Sequence, residues 1–197
     1  MLARLALLPV TVVIVGFMTT RPPVATPVSM PAVVVNRAPF PEKGDLYVFL
    51  DAMAFRESNN NPSVVNRYGD MGKYQFGDNT LQGLGEQFQV TRDEFLGNTQ
   101  LQDSAMVEYL RQNRDALQDI IVQYDGKWYR GMYITESGIL AGAHLVGPQG
   151  VKAFFNPHFW LTLDDGTRKR PRIADGNGTS VQTYIREFSG YTLTQLN

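Results

Sequence analysis

Six of the eleven prolines fall within residues 21–41, at Pro22, Pro23, Pro27, Pro31, Pro39 and Pro41. Proline lacks the N–H that helices and ladders use, so this stretch, with its Val, Ala, Ser and Thr, predicts an extended linker poor in backbone hydrogen bonds. It divides the chain. Ahead of it, a single basic side chain, Arg4, precedes an apolar run from Leu5 to Met18 broken only by Pro9, Thr11 and Gly16. Such a run predicts export. At a helical rise it spans roughly 20 Å of a ~30 Å hydrocarbon core, short for a permanent span, and no good small-residue cleavage site follows it. Residues 1–20 are therefore read as a signal peptide or N-terminal membrane anchor, 21–43 as a Pro-rich linker, and 44–197 as one folded domain.

The absence of cysteine excludes disulfides, thiolate metal sites, cysteine nucleophiles and a lipid-modified N-terminal cysteine. Formal charge is −1, but residues 1–41 hold Arg4, Arg21 and Arg37 and no acid, leaving 15 Lys and Arg against 19 Asp and Glu beyond them. A body at −4 is not expected to bind nucleic acid.

The domain is predicted to open with a helix capped by Asp45, because Leu46, Phe49, Leu50 and Met53 follow the i, i+3, i+4, i+7 spacing of a buried stripe. It should end near Arg56–Ser58, since three Asn residues and Pro62 follow. Glu57 then sits at the negative end of a helix, an unfavourable place for a carboxylate and a favourable one for a carboxyl that must hold a proton. Two capping-box patterns, Thr91 to Glu94 and Thr99 to Gln102, predict helix starts, the second opening a helix to about Val122. Asp125-Gly126 marks a hairpin or loop, and another helix is expected from Thr135 to Gly147-Pro148, with Gly138 and Gly142 allowing close packing or lining a cleft. Asp164 to Thr167 reads as a turn, and Thr179-x-x-Gln182 as the cap of a last helix over Val181–Phe188. The class is mainly α with one or two short β-hairpins.

The informative stretch is 56–81. It contains Glu57-Ser58 at a helix end, Asn61-Pro62, then Gly69-Asp70-Met71-Gly72-Lys73-Tyr74-Gln75, then Thr80. This ordered set resembles the signature of the lysozyme-like superfamily, in particular the goose-type lysozyme and lytic transglycosylase kind. Gly138 to Pro148 is similar to that family's Ala-rich helix, with Ala143-His144 where the family has Tyr-Asn. The ending, Asp175-Gly-Asn-Gly-Thr-Ser through Tyr184-Ile185 to Gly190-Tyr191, is similar to exported members of the superfamily. The resemblance spans about residues 45–191.

It implies a lysozyme-like fold, no cofactor, and cleavage of the β-1,4 bond between N-acetylmuramic acid and N-acetylglucosamine in peptidoglycan. Unlike the usual two-carboxylate glycosidases, the family uses one glutamate as acid and then base, placing Glu57 in that role. It further implies that Ser58, Tyr74, Gln75 and His144 bind substrate or orient the Glu; Asn66 falls where the family often has a small polar residue. The best candidate for a second carboxylate is Glu136, although the first turn of a helix favours an acid on dipole grounds alone.

The two histidines, His144 and His158, form no zinc-binding pattern, and no metal is expected. Asp175 to Ser180 lacks the glycine and glutamate of a calcium loop and reads as an Asx turn. Peptidoglycan is the expected partner, with anchoring through residues 1–20, and the expected location is the periplasm or cell envelope, or a phage-encoded lysin. The alternative reading is a catalytically silent peptidoglycan-binding or structural component of an envelope or virion assembly.

Overall fold

The computed structural model describes residues 41–196; the signal or anchor segment and all of the linker up to residue 40 lie outside the described residues. The elements are α1 (Leu46–Ser58), α2 (Asp78–Leu84), α3 (Arg92–Leu96), α4 (Thr99–Ala116), α5 (Gln118–Tyr124), β1 (Trp128–Tyr129), β2 (Met132–Tyr133), α6 (Glu136–Phe155), β3 (Leu161–Thr162), β4 (Arg168–Lys169) and α7 (Val181–Phe188). The described domain is mainly helical, with two antiparallel two-stranded hairpins, β1-β2 and β3-β4. No helix among the described residues is long and apolar enough to cross a membrane.

The first helix follows its sequence. Asp45 caps it by accepting from the Tyr47 and Val48 amides, and Leu46, Phe49, Leu50 and Met53 are buried. It ends where the asparagines begin: Asn59 and Asn60 adopt φ of 54° and 59°, the left-handed region that Asn tolerates better than most residues. Their amides close the helix on Phe55 and Ala54 carbonyls at 2.9 and 3.0 Å. The chain entry is bridged to its far end, with Gly44 paired to Tyr191.

At the centre lies α6. Ile139, Leu140, Ala141 and Ala143 are fully buried, packed among α4, α5 and α7. The two glycines make the α6–α7 approach possible: a Cβ on Gly138 would stand 2.8 Å from the Ile185 carbonyl, and one on Gly142 would stand 2.8 Å from Val181 Cγ2. Close helix packing is therefore their use. The Ser137 hydroxyl donates to the Phe188 carbonyl at 2.8 Å and accepts from the Tyr191 amide, fastening the end of α7 to the start of α6.

Three expectations needed correction and a fourth is narrowed. Asn98, not Thr99, caps α4, because its carboxamide accepts from the Leu101 amide while Gln102 is drawn inward. The expected helix to Val122 breaks at Leu117, whose φ and ψ of −113° and 11° separate α4 from α5. Of the hairpin or loop expected at Asp125-Gly126, the loop forms there as a turn, with Gly126 at φ 71°, while the hairpin turns further on at Arg130-Gly131, with Trp128 facing Tyr133 and Tyr129 facing Met132. Ser180, one residue beyond Thr179, caps α7 by accepting from the Thr183 amide. The stop at Gly147-Pro148 is real but local: Gly147 leaves helical geometry at φ 72°, and Pro148 starts a second helical run to Phe155.

Replacing Gly138 with Ala should lower unfolding free energy by about 1–2 kcal/mol, overpacking against the α7 backbone exceeding the gain in helix propensity. Urea denaturation measures it; an unchanged or raised midpoint would contradict the packing.

Candidate active site

Glu57 is the second-last residue of α1 and its side chain is 17% exposed. Its Oε1 accepts a 2.5 Å hydrogen bond from the Tyr184 hydroxyl on α7. His144 Nε2 on α6 stands 3.7 Å from the same oxygen. Glu57 Oε2 takes no hydrogen bond from protein among the described residues and is not a buried orphan, so it keeps access to solvent. One carboxyl thus has an anchored oxygen and a free one.

Both neighbours are held in a fixed protonation state. Burial, and then the charge of Glu57, push the Tyr184 phenol far above its ordinary range, so it remains a donor. Arg56 lies over the Tyr184 ring, 5.3 Å from its centre, and pairs with Glu187 at 3.3 Å. Burial depresses His144, with Glu57, the Tyr74 backbone and Asp70 partly offsetting it, so the ring is neutral at pH 7. Phe76 and Tyr109 meet the imidazole edge-on at 5.9 and 5.8 Å, and the Tyr109 hydroxyl bonds the Ala143 carbonyl at 3.0 Å. Nδ1 is buried and makes no hydrogen bond, and the Tyr74 backbone lies beside the ring.

The segment from Asn59 to Gly77 has no helix or paired strand of its own, only isolated bridges such as Val65 to Met71 and Met71 to Phe76. Gln102 holds it. This fully buried side chain accepts from the Lys73 amide at 2.8 Å and donates to the Pro62 and Phe95 carbonyls at 3.0 and 2.9 Å. Gly72, at φ 75°, leaves room for that amide, since a Cβ there would lie 2.6 Å from Gln102 Oε1.

The other residues singled out from sequence are placed as follows. Ser58 Oγ donates to the Lys73 carbonyl at 2.9 Å and accepts from the Asn61 amide at 3.0 Å, tying the end of α1 to the Gly72–Gln75 turn. Tyr74 is 1% exposed and its hydroxyl donates to Asp103 at 2.6 Å, alongside Lys73 at 2.6 Å from the same oxygen. Gln75 is half-buried at φ 53°, its side-chain Nε2 donating to the Gly72 carbonyl at 2.9 Å. Asn66 closes an Asx turn, accepting from the Tyr68 and Asp70 amides. Glu136 pairs with Arg114 at 2.5 Å; burial raises its carboxyl and Arg114 works against that. It lies eight residues, roughly 12 Å of helix, from His144. The structure thus brings Glu57 and His144 together and leaves Glu136 in a separate ion pair. Asp175 accepts from the Asn177 and Thr179 amides, the expected Asx turn.

Sequence reasoning missed Tyr184, Gln102 and Asp103. Tyr184 could have been found: it falls on the buried stripe Val181, Tyr184, Ile185, Phe188, and a buried Tyr hydroxyl needs a partner. No protein-family model matches this chain, and neither a curated protein nor a solved structure matches it.

Two outcomes follow from this geometry. Gln102→Leu should cost about 2–4 kcal/mol, because the Lys73 amide and two carbonyls lose a buried partner, and hydrogen exchange should speed up across residues 60–75 before the core. For His144, the unfolded chain binds a proton below about pH 6.5 that the folded ring refuses. Stability therefore rises with pH through this window, levels off above it, and is lost on acidification. His144→Gln should flatten that dependence in urea midpoints measured from about pH 5 to 7; an unchanged slope would contradict a buried neutral ring.

Proposed function

We propose that the chain is a lysozyme-like peptidoglycan-cleaving enzyme, a lytic transglycosylase or lysozyme, in which Glu57 is the single acid and base. The observation that carries the reading is the asymmetry of the Glu57 carboxyl: Oε1 is held by Tyr184 beside neutral His144, and Oε2 is open. The motif order from Glu57 through Gln75, and the helix from Gly138 to Pro148, support it independently.

In this reading, Oε2 carries the proton. It passes to the glycosidic oxygen as the bond from C1 breaks, leaving cationic character on the muramic sugar that the substrate's own N-acetyl oxygen can stabilise. The Glu57 carboxylate left behind is met at Oε1 by the Tyr184 hydroxyl, a charge-assisted bond stronger than its neutral counterpart. The carboxylate then takes a proton from either the 6-hydroxyl of the same sugar, which closes the 1,6-anhydro ring, or a water. Neutral His144 suits both halves of the cycle, since a charged imidazolium beside Glu57 would favour its carboxylate and oppose the proton that it must carry and regain. Glu136 has no part in it, and no cofactor is required.

The reading places the protein at peptidoglycan in the periplasm or envelope, in keeping with the apolar run at residues 5–18. The test is digestion of purified peptidoglycan sacculi with mass spectrometry of the released muropeptides. Wild-type protein should release fragments, with anhydro ends marking a transglycosylase and reducing ends a lysozyme. Glu57→Gln should lose roughly 10³-fold or more, and Tyr184→Phe roughly tenfold. Sacculus binding without release by either wild type or variant would replace this reading with that of a silent binding component.

A further inference from the structure

The β3-β4 hairpin stands out from the body, every residue from Thr162 to Arg170 being exposed. Its register pairs Leu161 with Lys169 and Thr162 with Arg168, each a two-residue strand. A lone two-stranded ribbon is marginal in water unless something covers it. Its composition is also out of keeping with the rest of the domain. Arg168, Lys169, Arg170 and Arg172 lie within five consecutive positions of a domain that is otherwise net acidic. Among the described residues, none of the four is within ion-pair distance of a carboxylate. The two acids at the tip, Asp164 and Asp165, offset these charges only in part, and Asp165 is turned to the Thr167 amide and hydroxyl at 2.9 and 2.7 Å.

Large apolar groups are exposed among these cations. Trp160 is 45% exposed, with the Arg168 guanidinium 5.6 Å from its ring centre, and Leu163 is 42% exposed. Thr162 and Arg168 are cross-strand partners, so Trp160, two residues before Thr162, projects on the Arg168 side of the ribbon.

We infer that this hairpin docks on an anionic phospholipid surface through the face that carries Trp160, the indole entering the headgroup region while Arg168 beside it and the neighbouring cations meet lipid phosphates. Tryptophan favours that interface, and each basic side chain near an anionic leaflet adds to binding. The exposed indole separates this partner from duplex nucleic acid, which would use the cations and leave Trp160 in water, and whose long charged rod would meet the acidic remainder of the domain. The inference is independent of the Glu57 chemistry.

The test uses the full chain with vesicles of phosphatidylcholine alone or with phosphatidylglycerol added. Wild type should prefer the anionic vesicles, and the variant R168Q/K169Q/R170Q/R172Q should lose roughly 100-fold of that preference. Any contribution of residues 1–20 is common to both proteins, so the ratio reports the hairpin. Because Trp128 and Trp160 are the only tryptophans, Trp128→Phe leaves one reporter, whose emission should shift to the blue on anionic vesicles and be quenched by brominated lipid. Equal preference in wild type and variant, an unshifted Trp160, or tighter binding to duplex DNA than to vesicles at the same ionic strength would each overturn it.

Discussion

The buried carboxamide of Gln102 is the interaction on which the site depends. A segment of nearly twenty residues, Asn59 to Gly77, crosses the domain without regular structure. Such a segment leaves backbone groups that helices and sheets would otherwise satisfy. One side chain on α4 answers two of them, at Pro62 and Lys73, takes the Phe95 carbonyl of α3 besides, and so fixes the segment to a rigid helix. Ser58 adds the complementary tie from the end of α1 to the Lys73 carbonyl. The Gly72–Gln75 turn is then held between α1 and α4, and its Tyr74 backbone lies against His144.

The α6–α7 contact does the corresponding work on the other side. Gly138 and Gly142 let α7 approach until Tyr184 reaches across to Glu57, a pairing of residues 127 apart in sequence. Neither helix carries the site alone. α1 presents the carboxyl, α7 supplies the donor, α6 supplies the neutral ring, and the carboxyl is left with one oxygen committed and one open. On the proposed reading, in which Glu57 gives up and regains a proton, such asymmetry serves better than two equivalent oxygens, because the reacting atom is defined before substrate arrives.

Local features were legible in sequence to the extent that they were decided locally. The start and stop of α1 follow from Asp45, its apolar stripe and the asparagines, and the Thr91–Glu94 capping box forms as its residues dictate. The same pattern at Thr99–Gln102 misleads because Gln102 finds better partners forty residues away, leaving the cap to Asn98. At α7, adjacent hydroxyls at Thr179 and Ser180 compete, and the backbone angles select the second. The break at Leu117 carries no glycine or proline to announce it; Leu117 and Ile121 are both buried there, and burial of both is what the break accompanies. Of the site, Glu57 was legible from the motif, and His144 was legible as a departure from it. Tyr184 was legible as a buried tyrosine in need of a partner, but its partner was not, since nothing in a single sequence pairs α7 with the end of α1. Tyr74, expected at substrate, has its hydroxyl on Asp103, a partner that only the packing of α4 against the turn reveals.

The most direct measurement is a crystal structure of the Glu57→Gln protein with a peptidoglycan tetrasaccharide bound. The account predicts the bridging glycosidic oxygen within about 3 Å of the open side of residue 57, with the Tyr184 hydroxyl still on the opposite atom. A sugar chain bound away from residue 57, or one that displaces Tyr184 to reach the anchored oxygen, would contradict it.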